Sequence, residues 1–186
     1  MCLIPSTKNC LIAEEDITVY KYVSMRLRIK EGNYEGRLIH PEETVMNKTF
    51  YANNVLEPVW ISPFVNEDFV NECRPLVYTP GETINEPAFK GENLCEVNLG
   101  LHSYAVLEDA MIRADIFKVA EGASAVLECV IPKGMRYWKS VPTLHDNQYC
   151  SESLRVKKVV YTQCTSVVGN SCFAPEKVTP GMSESI

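Results

Sequence analysis

The clearest hydrophobic pattern of the chain lies near its start. Residues 17–23 (ITVYKYV) are β-branched and aromatic, and residues 25–30 (MRLRIK) alternate strictly between apolar and cationic side chains. Because successive side chains of a strand point to opposite faces, this alternation predicts a strand with one buried and one exposed face. The three cations suggest an anion-binding face, but a solvated outer face is the simpler interpretation.

A second apolar pattern lies in the last third of the chain. Residues 125–131 form an apolar run that ends at Pro132-Lys133-Gly134, a turn sequence, and residues 135–138 bring two aromatic side chains after it. Residues 154–161 predict a further long strand. We therefore expect a hairpin that turns at Gly134, with the last strand beside it in one sheet.

One helix is predicted, at about residues 104–115. Apolar side chains recur there at helical spacing, and Ser103 is a suitable N-cap residue. Other segments predict short strands divided by prolines, and Trp60 in one of them is interpreted as a core residue. The fold class is therefore α+β, mainly antiparallel short strands with one clear helix. Two small packed sheets are compatible with this pattern.

The chain of 186 residues is expected to form a single α+β domain over residues 1–161, with a loop-rich middle region. Prolines and glycines at 79–91 predict a loop, and such long loops often bind ligands or act as lids. Residues 162–186 lose the strand pattern and predict an irregular C-terminal tail.

Charge and hydropathy narrow the classes of partner. Lysine and arginine number 18 against 24 acidic residues, a net charge of −6, which disfavours general nucleic-acid binding. No apolar run approaches the roughly 20 residues that span a bilayer, so we expect no membrane partner. The first residues lack the apolar core of a secretory signal, and we expect a cytoplasmic protein.

Eight cysteines are scattered along the chain without a CxxC pair. In a reducing compartment disulfides are rare, and no closely spaced Cys and His pairs suggest a zinc site. We therefore predict no metal. Gly-rich phosphate loops and the HExxH and GxSxG motifs are also missing from the sequence.

Three segments together resemble a known group of proteins: ITVYK, GLHSYAVLEDA, and CVIPKGMRYW followed by YCSESLRV. They look like a group of small, mostly uncharacterised proteins of bacteria and their phages. The same order of parts distantly resembles the ADP-ribosyltransferase fold. That resemblance implies a cleft that binds NAD and an enzyme that transfers ADP-ribose.

The resemblance assigns roles to three residues. Lys21 stands where that family has arginine or histidine, and Ser103 keeps the serine of the middle motif. Glu152, ahead of the last strand, would be the catalytic carboxylate that stabilises positive charge as nicotinamide leaves. NAD is a cofactor only under this alternative. A second enzymatic alternative uses Cys150 as a nucleophile, with His145 or His102 as its base and Glu152 as the orienting group.

The leading hypothesis is a non-enzymatic binding or accessory protein, of phage or mobile-element type, for a protein or a small anionic ligand. A pocket is expected beside the Pro-Lys-Gly turn and the start of the predicted helix, where free N–H groups favour anions. The candidate ligand-binding residues are Lys21, His102, Ser103, Tyr104, Lys133, Arg136, Tyr137 and Trp138. The alternative for the aromatic ones is ordinary packing against the sheet. The partner's identity and the oligomeric state stay open.

Overall fold

The structure, a computed structural model, describes residues 3, 5, 6, 9–39, 47–62, 76–86, 100–121, 123–141 and 147–164. It contains two helices there, α1 (Lys48–Tyr51) and α2 (Leu107–Glu121). The strands of the described residues are β1 (Leu11–Ile12), β2 (Ile17–Glu31), β3 (Leu38–Ile39), β4 (Val55–Ile61), β5 (Thr83–Asn85), β6 (Leu101–Tyr104), β7 (Ala123–Ile131), β8 (Arg136–Lys139), β9 (Gln148–Ser151) and β10 (Ser153–Cys164).

All of these strands belong to one antiparallel sheet. Its order is β1-β8-β9-β6-β2-β7-β10-β5, and β3 and β4 also pair with β2. β2 is 15 residues long: its first half pairs with β7 and β6, and its second half pairs with β4 and β3. One long strand thus joins two groups of strands. The α+β class is confirmed, and the arrangement in two small sheets is wrong.

The long helix α2 begins and ends later than the sequence predicts. Leu101–Tyr104 is strand β6, which pairs with β9 at all four of its residues. The main-chain N–H and C=O groups that form this pairing are not available for the hydrogen bonds of a helix that starts at Tyr104. Ser103 is therefore a buried strand residue and not an N-cap. The predicted apolar side of the helix is confirmed, because Ala110 and Ala114 are fully buried.

The predicted hairpin at Gly134 does not form. β7 has β2 and β10 on its two edges, whereas β8 pairs with β9 and β1. Because both edges of β7 are occupied, the chain leaves it through a turn in which Gly134 takes a φ of +85° and donates its N–H to the Ala13 carbonyl at 2.8 Å. The strand predicted at 154–161 is confirmed beside β7. As β10 it continues to Cys164, into the segment predicted as tail, and the rest of that segment lies outside the described residues.

The side chains of β2 alternate between two buried faces of the sheet. The inner face carries Val19, Lys21 and Val23 and holds the larger hydrophobic core. The outer face carries Tyr22, which packs with Ala110 and other residues beneath α2. A sheet that is buried on both faces at its centre needs a cover on the inner face as well.

Residues 76–82, here called the strap, supply that cover. At one end the Tyr78 N–H donates to the Trp60 carbonyl in β4 at 2.8 Å, and at the other the Gly81 N–H donates to the Val156 carbonyl in β10 at 2.9 Å. β4 lies beyond β2 and β10 lies beyond β7, so the strap crosses both central strands. Gly81, with a φ of +91°, makes the tight turn at its far end. Tyr78 is 2% exposed and lies in the inner core.

Candidate functional site

Two of the residues predicted from the sequence, Lys21 and Ser103, come together on the inner face. The pairing of Tyr20 with Tyr104 makes residues 21 and 103 neighbours across β2 and β6. Lys21 is 4% exposed and Ser103 is 1% exposed. These two side chains are therefore a polar centre inside an apolar core.

Lys21 is the charged member of this centre. Its Nζ donates a hydrogen bond to the His102 carbonyl oxygen at 2.7 Å and lies 5.4 Å from the centre of the Tyr78 ring. The hydrogen bond and the ring face both favour a positive charge. Burial acts in the other direction and is the larger effect, because it lowers the pKa of Lys21 from 10.5 to about 8. The amine of Lys21 therefore becomes neutral more readily than that of a surface lysine.

His102 presents its imidazole to the outer side of β6. Burial, with a smaller contribution from the charge of Lys21, lowers the pKa of His102 from 6.5 to about 3. Within the described part of the chain, neither ring nitrogen has a hydrogen-bond partner. The imidazole is thus neutral near neutral pH and too weakly basic there for general base catalysis.

His102, Cys150 and Trp138 form a row across β6, β9 and β8. Cys150 is fully buried, and burial raises the pKa of its thiol to about 12. The reactive form of cysteine is the thiolate, which is scarce at such a pKa. The environments of Cys150 and His102 therefore oppose the nucleophile hypothesis, and the other candidate base, His145, lies outside the described residues.

Glu152 binds Arg136 with both carboxylate oxygens. Arg136 Nη2 lies 2.8 Å from Glu152 Oε1, and Arg136 Nε donates to Glu152 Oε2 at 2.8 Å. The Arg136 side chain is 57% exposed and that of Glu152 is 21% exposed. The carboxylate to which the resemblance assigns catalysis is thus held by a cation rather than by Lys21 or Ser103.

The other predicted ligand-binding residues are spread over both faces. Lys133 is exposed, and Tyr104 is buried beneath α2. Tyr137 packs on the inner face, with its ring centre 5.7 Å from that of Tyr149, whereas Trp138 is buried on the outer face. Consecutive residues of a strand point to opposite faces, so β8 separates the two aromatic rings that the sequence places together.

A cleft of about 510 Å³ opens beside the strap. It is bounded by β2, β4 and the strap, and most of its lining is apolar. The apolar wall includes Met25, Pro58, Trp60, Tyr78 and Pro80. Tyr78 is therefore shared between the cleft and the contact with Lys21.

Arg28 and Glu57 form the charged part of this lining. They pair across β2 and β4, and Nε and Nη2 of Arg28 both contact Oε1 of Glu57. Nη1 of Arg28 has no partner among the described residues. The ion pair thus holds the Arg28 guanidinium in position and leaves part of its donor capacity unused.

Sequence reasoning missed the residues of this cleft. The sequence predicts a core residue at Trp60 and a solvated face at Arg28, and it gives no signal for Tyr78. The feature that unites them is the pairing of Met25 with Trp60 and of Arg28 with Glu57 across two strands. Opposite charges at 28 and 57 are the trace of that pairing in the sequence, but a single sequence does not show which strands are neighbours.

Comparison of the chain with models of protein families, with curated proteins and with solved structures finds no match. Over the described residues, no three His, Cys, Asp or Glu side chains are grouped as ligands of a metal ion. No helix described here has both the length and the apolar composition needed to cross a membrane. The features of the described residues that can indicate a function are the cleft and the buried centre beside it.

Proposed function

We propose that the protein is a non-enzymatic binding protein whose cleft takes a small molecule with a planar ring and an anionic group. The observation that supports this most is that Arg28, Trp60 and Tyr78 all belong to the lining of one cleft. A volume of about 510 Å³ lies within the roughly 300–1,000 Å³ typical of small-molecule sites.

The apolar wall favours a planar ring. Trp60 is half-buried, so one part of its side chain packs against the inner core while another lines the cleft. Tryptophan and tyrosine side chains bury large areas and stack on flat ligand rings. The prolines on either side of the cleft add apolar surface without flexible side chains.

Arg28 favours an anion. A guanidinium has five N–H donors in a fixed plane and binds carboxylate or phosphate groups at two points. Glu57 occupies one edge of the Arg28 guanidinium and holds it in position. A ligand anion would use the remaining Nη1 donors.

Intrinsic fluorescence tests the proposal directly. The chain has two tryptophans, and Trp138→Phe removes the buried one, so that Trp60 alone reports on the cleft. Titration of this variant with para-toluate, AMP or NAD should change the Trp60 emission and raise the melting temperature. A ligand at 100 times its Kd adds about 2.7 kcal/mol to stability. If none of these compounds changes the emission or the melting temperature, the proposal is wrong.

A matched pair of charge variants locates the anion. Arg28→Gln should weaken binding of the responding ligand about tenfold, because a charge-assisted hydrogen bond is lost and Glu57 is left unpaired. Arg155→Gln makes the same change of net charge outside the cleft, where Arg155 pairs with Asp16 at 2.6 Å. Equal weakening by both variants would show that only overall charge matters.

The alternative is an ADP-ribosyltransferase-like enzyme that binds NAD. The observation that favours it is that Lys21 and Ser103, to which the resemblance assigns roles, are neighbours across β2 and β6. This alternative predicts that the protein hydrolyses NAD and that Glu152→Gln abolishes the hydrolysis without unfolding the chain. Binding of NAD without any hydrolysis would support the non-enzymatic proposal instead.

A further inference from the structure

The buried centre on the inner face has more hydrogen-bonding capacity than its partners use. An ammonium group has three donors, and Lys21 spends one of them, on the His102 carbonyl. Ser103 Oγ is buried and has no hydrogen-bond partner within the described residues. Buried polar groups in native proteins are nearly always paired, so an amine and a hydroxyl left in this state side by side require an explanation.

A structural role explains part of this arrangement. β2 and β6 pair at only Tyr20 and Tyr104 in the described part of the sheet, and Lys21 bonds a carbonyl of β6 next to that pair. This role accounts for one hydrogen bond. It does not account for the unpaired Ser103 hydroxyl or for the burial of a lysine in an apolar core.

Tyr78 separates this centre from the cleft. Its ring lies over the amine of Lys21, and the same residue lines the cleft. The strap that carries it is held by main-chain hydrogen bonds to Trp60 and Val156. Tyr78 is thus the side chain that would have to turn aside for a molecule in the cleft to reach Lys21.

We propose that Lys21 is the inner end of the cleft, an amine that condenses with the carbonyl group of a small aldehyde when Tyr78 turns aside. This inference rests on the proposed function, because the cleft is the route of entry. The neutral Nζ attacks the carbonyl carbon, and the C–N bond forms as the carbonyl oxygen takes a proton. The carbinolamine then loses that oxygen as water and becomes an imine, so that amine and aldehyde give imine and water.

The surroundings of Lys21 suit both steps. The reaction requires the neutral amine, and burial lowers the pKa of Lys21 to about 8, so that half of it is neutral near that pH. The Ser103 hydroxyl, adjacent in the β2–β6 register, is free to exchange a proton with the carbinolamine oxygen. The apolar core holds little competing polar surface.

Reductive trapping tests the inference without any variant. The wild-type protein is incubated at about pH 8 with para-carboxybenzaldehyde and cyanoborohydride, and each modified lysine is located by peptide mass spectrometry. Lys158, whose side chain is 65% exposed, is the internal control. We expect Lys21 to be modified at least about tenfold faster than Lys158, because burial lowers the pKa of Lys21 and so enlarges its neutral, reactive fraction. Modification of Lys21 at or below the rate of Lys158 would overturn the inference and leave Lys21 a structural residue.

Two variants test the role of Tyr78. Tyr78→Ala should speed the trapping of Lys21 and leave the rate at Lys158 unchanged, whereas Tyr78→Phe should behave like the wild type because it keeps the ring. If Tyr78→Ala does not fold, the comparison of the trapping rates of Lys21 and Lys158 in the wild-type protein still tests the inference. An unchanged Lys21 rate in a folded Tyr78→Ala protein would contradict the route through the cleft.

The inference and the proposed function fail in different ways. Para-toluate has the ring and the carboxylate of the probe but no carbonyl group, and its binding is read from Trp60 emission. If para-toluate binds and Lys21 is not trapped, the proposed function stands and the inference is wrong. If Lys21 is trapped but Trp60 responds to neither compound, the aldehyde has reached the amine by another route, and both are wrong.

Discussion

The two faces of the central sheet are closed in different ways, as consecutive residues of β7 show. Val126 packs on the outer face beneath α2, where Ala110 and Ala114 let the helix approach closely, and Leu127 packs on the inner face beneath the strap. The outer face around Val126 is closed by apolar packing with small side chains. The inner face places Lys21, whose ammonium uses one of its three donors on a carbonyl, next to Leu127. Incompletely paired polar groups weaken a core, and binding sites are commonly found where stability has been reduced in this way.

Cavity-forming substitutions on β7 should have the largest effects and compare the two faces directly. Leu127→Ala should lower the free energy of unfolding by about 3–4 kcal/mol, and Val126→Ala by about 2 kcal/mol, because both residues are fully buried and the first loses more atoms. Denaturant unfolding measures both. If Leu127→Ala costs less than Val126→Ala, the inner core is looser than its burial indicates.

Acid should destabilise the protein through His102. Its pKa is about 3 in the folded protein and 6.5 in the unfolded chain, so between these values the unfolded chain binds the extra proton. The contribution of the neutral imidazole to the free energy of unfolding is complete above pH 6.5. It decreases as the pH falls below 6.5, and about 3 kcal/mol is lost at pH 4.

The control for this prediction is His102→Gln, which isolates His102 from the other two histidines of the chain. The variant should show a smaller loss of stability between pH 6.5 and pH 4 in denaturant titrations. If the free energy of unfolding falls equally in the two proteins between pH 6.5 and pH 4, the His102 imidazole is protonated in the folded state over that range.

Lys21→Met should make the protein about 1–2 kcal/mol more stable at pH 7. Burial keeps the pKa of Lys21 near 8, so protonation is less favourable in the folded protein than in the unfolded chain, and this penalty exceeds the value of one hydrogen bond. The unfolded chain binds more protons between pH 8 and pH 10.5, so this part of wild-type stability rises with pH in that window.

The advantage of Lys21→Met should shrink as pH rises through that window. Burial raises the pKa values of the Cys129 and Cys150 thiols and the charge of Lys21 opposes this, so the variant keeps both thiols protonated to a higher pH than the wild type does. Lys158→Met, an exposed control, should change stability by no more than about 0.5 kcal/mol. A loss of stability in Lys21→Met would show that the ammonium is a structural element.

The parts of this fold that the sequence predicts are those set by local pattern. The alternation of β2 and the apolar runs of β7 and β10 follow from side chains a few residues apart, and so does the apolar side of α2. The sequence predicts too early a start for α2, because LHSYAV suits a helix start locally. In the structure, pairing of β6 with β9 makes the first four of these residues a strand. That pairing depends on residues almost fifty positions away.

The candidate site depends still more on distant pairing. A resemblance, and not a local pattern, singles out Lys21 and Ser103, and the register of β2 with β6 makes them neighbours. Trp60 and Tyr78 meet because the strap crosses the sheet, and no local pattern encodes a crossing. The direction of β8 after Gly134 follows from the occupied edges of β7, which only the complete sheet defines.

The smallest expected effect is that of Glu152→Gln, which lies outside both buried faces. Its partner Arg136 is mostly exposed, and solvent-exposed ion pairs contribute about 0–1 kcal/mol because water and salt screen them. The variant should therefore unfold within about 1 kcal/mol of the wild type, and Arg136→Gln should show no further loss when combined with it. A cost above about 2 kcal/mol would mean that the carboxylate supports the sheet between β8 and β10, and loss of NAD hydrolysis in this variant could then no longer be assigned to chemistry. The stability measurement must therefore precede any activity measurement on Glu152.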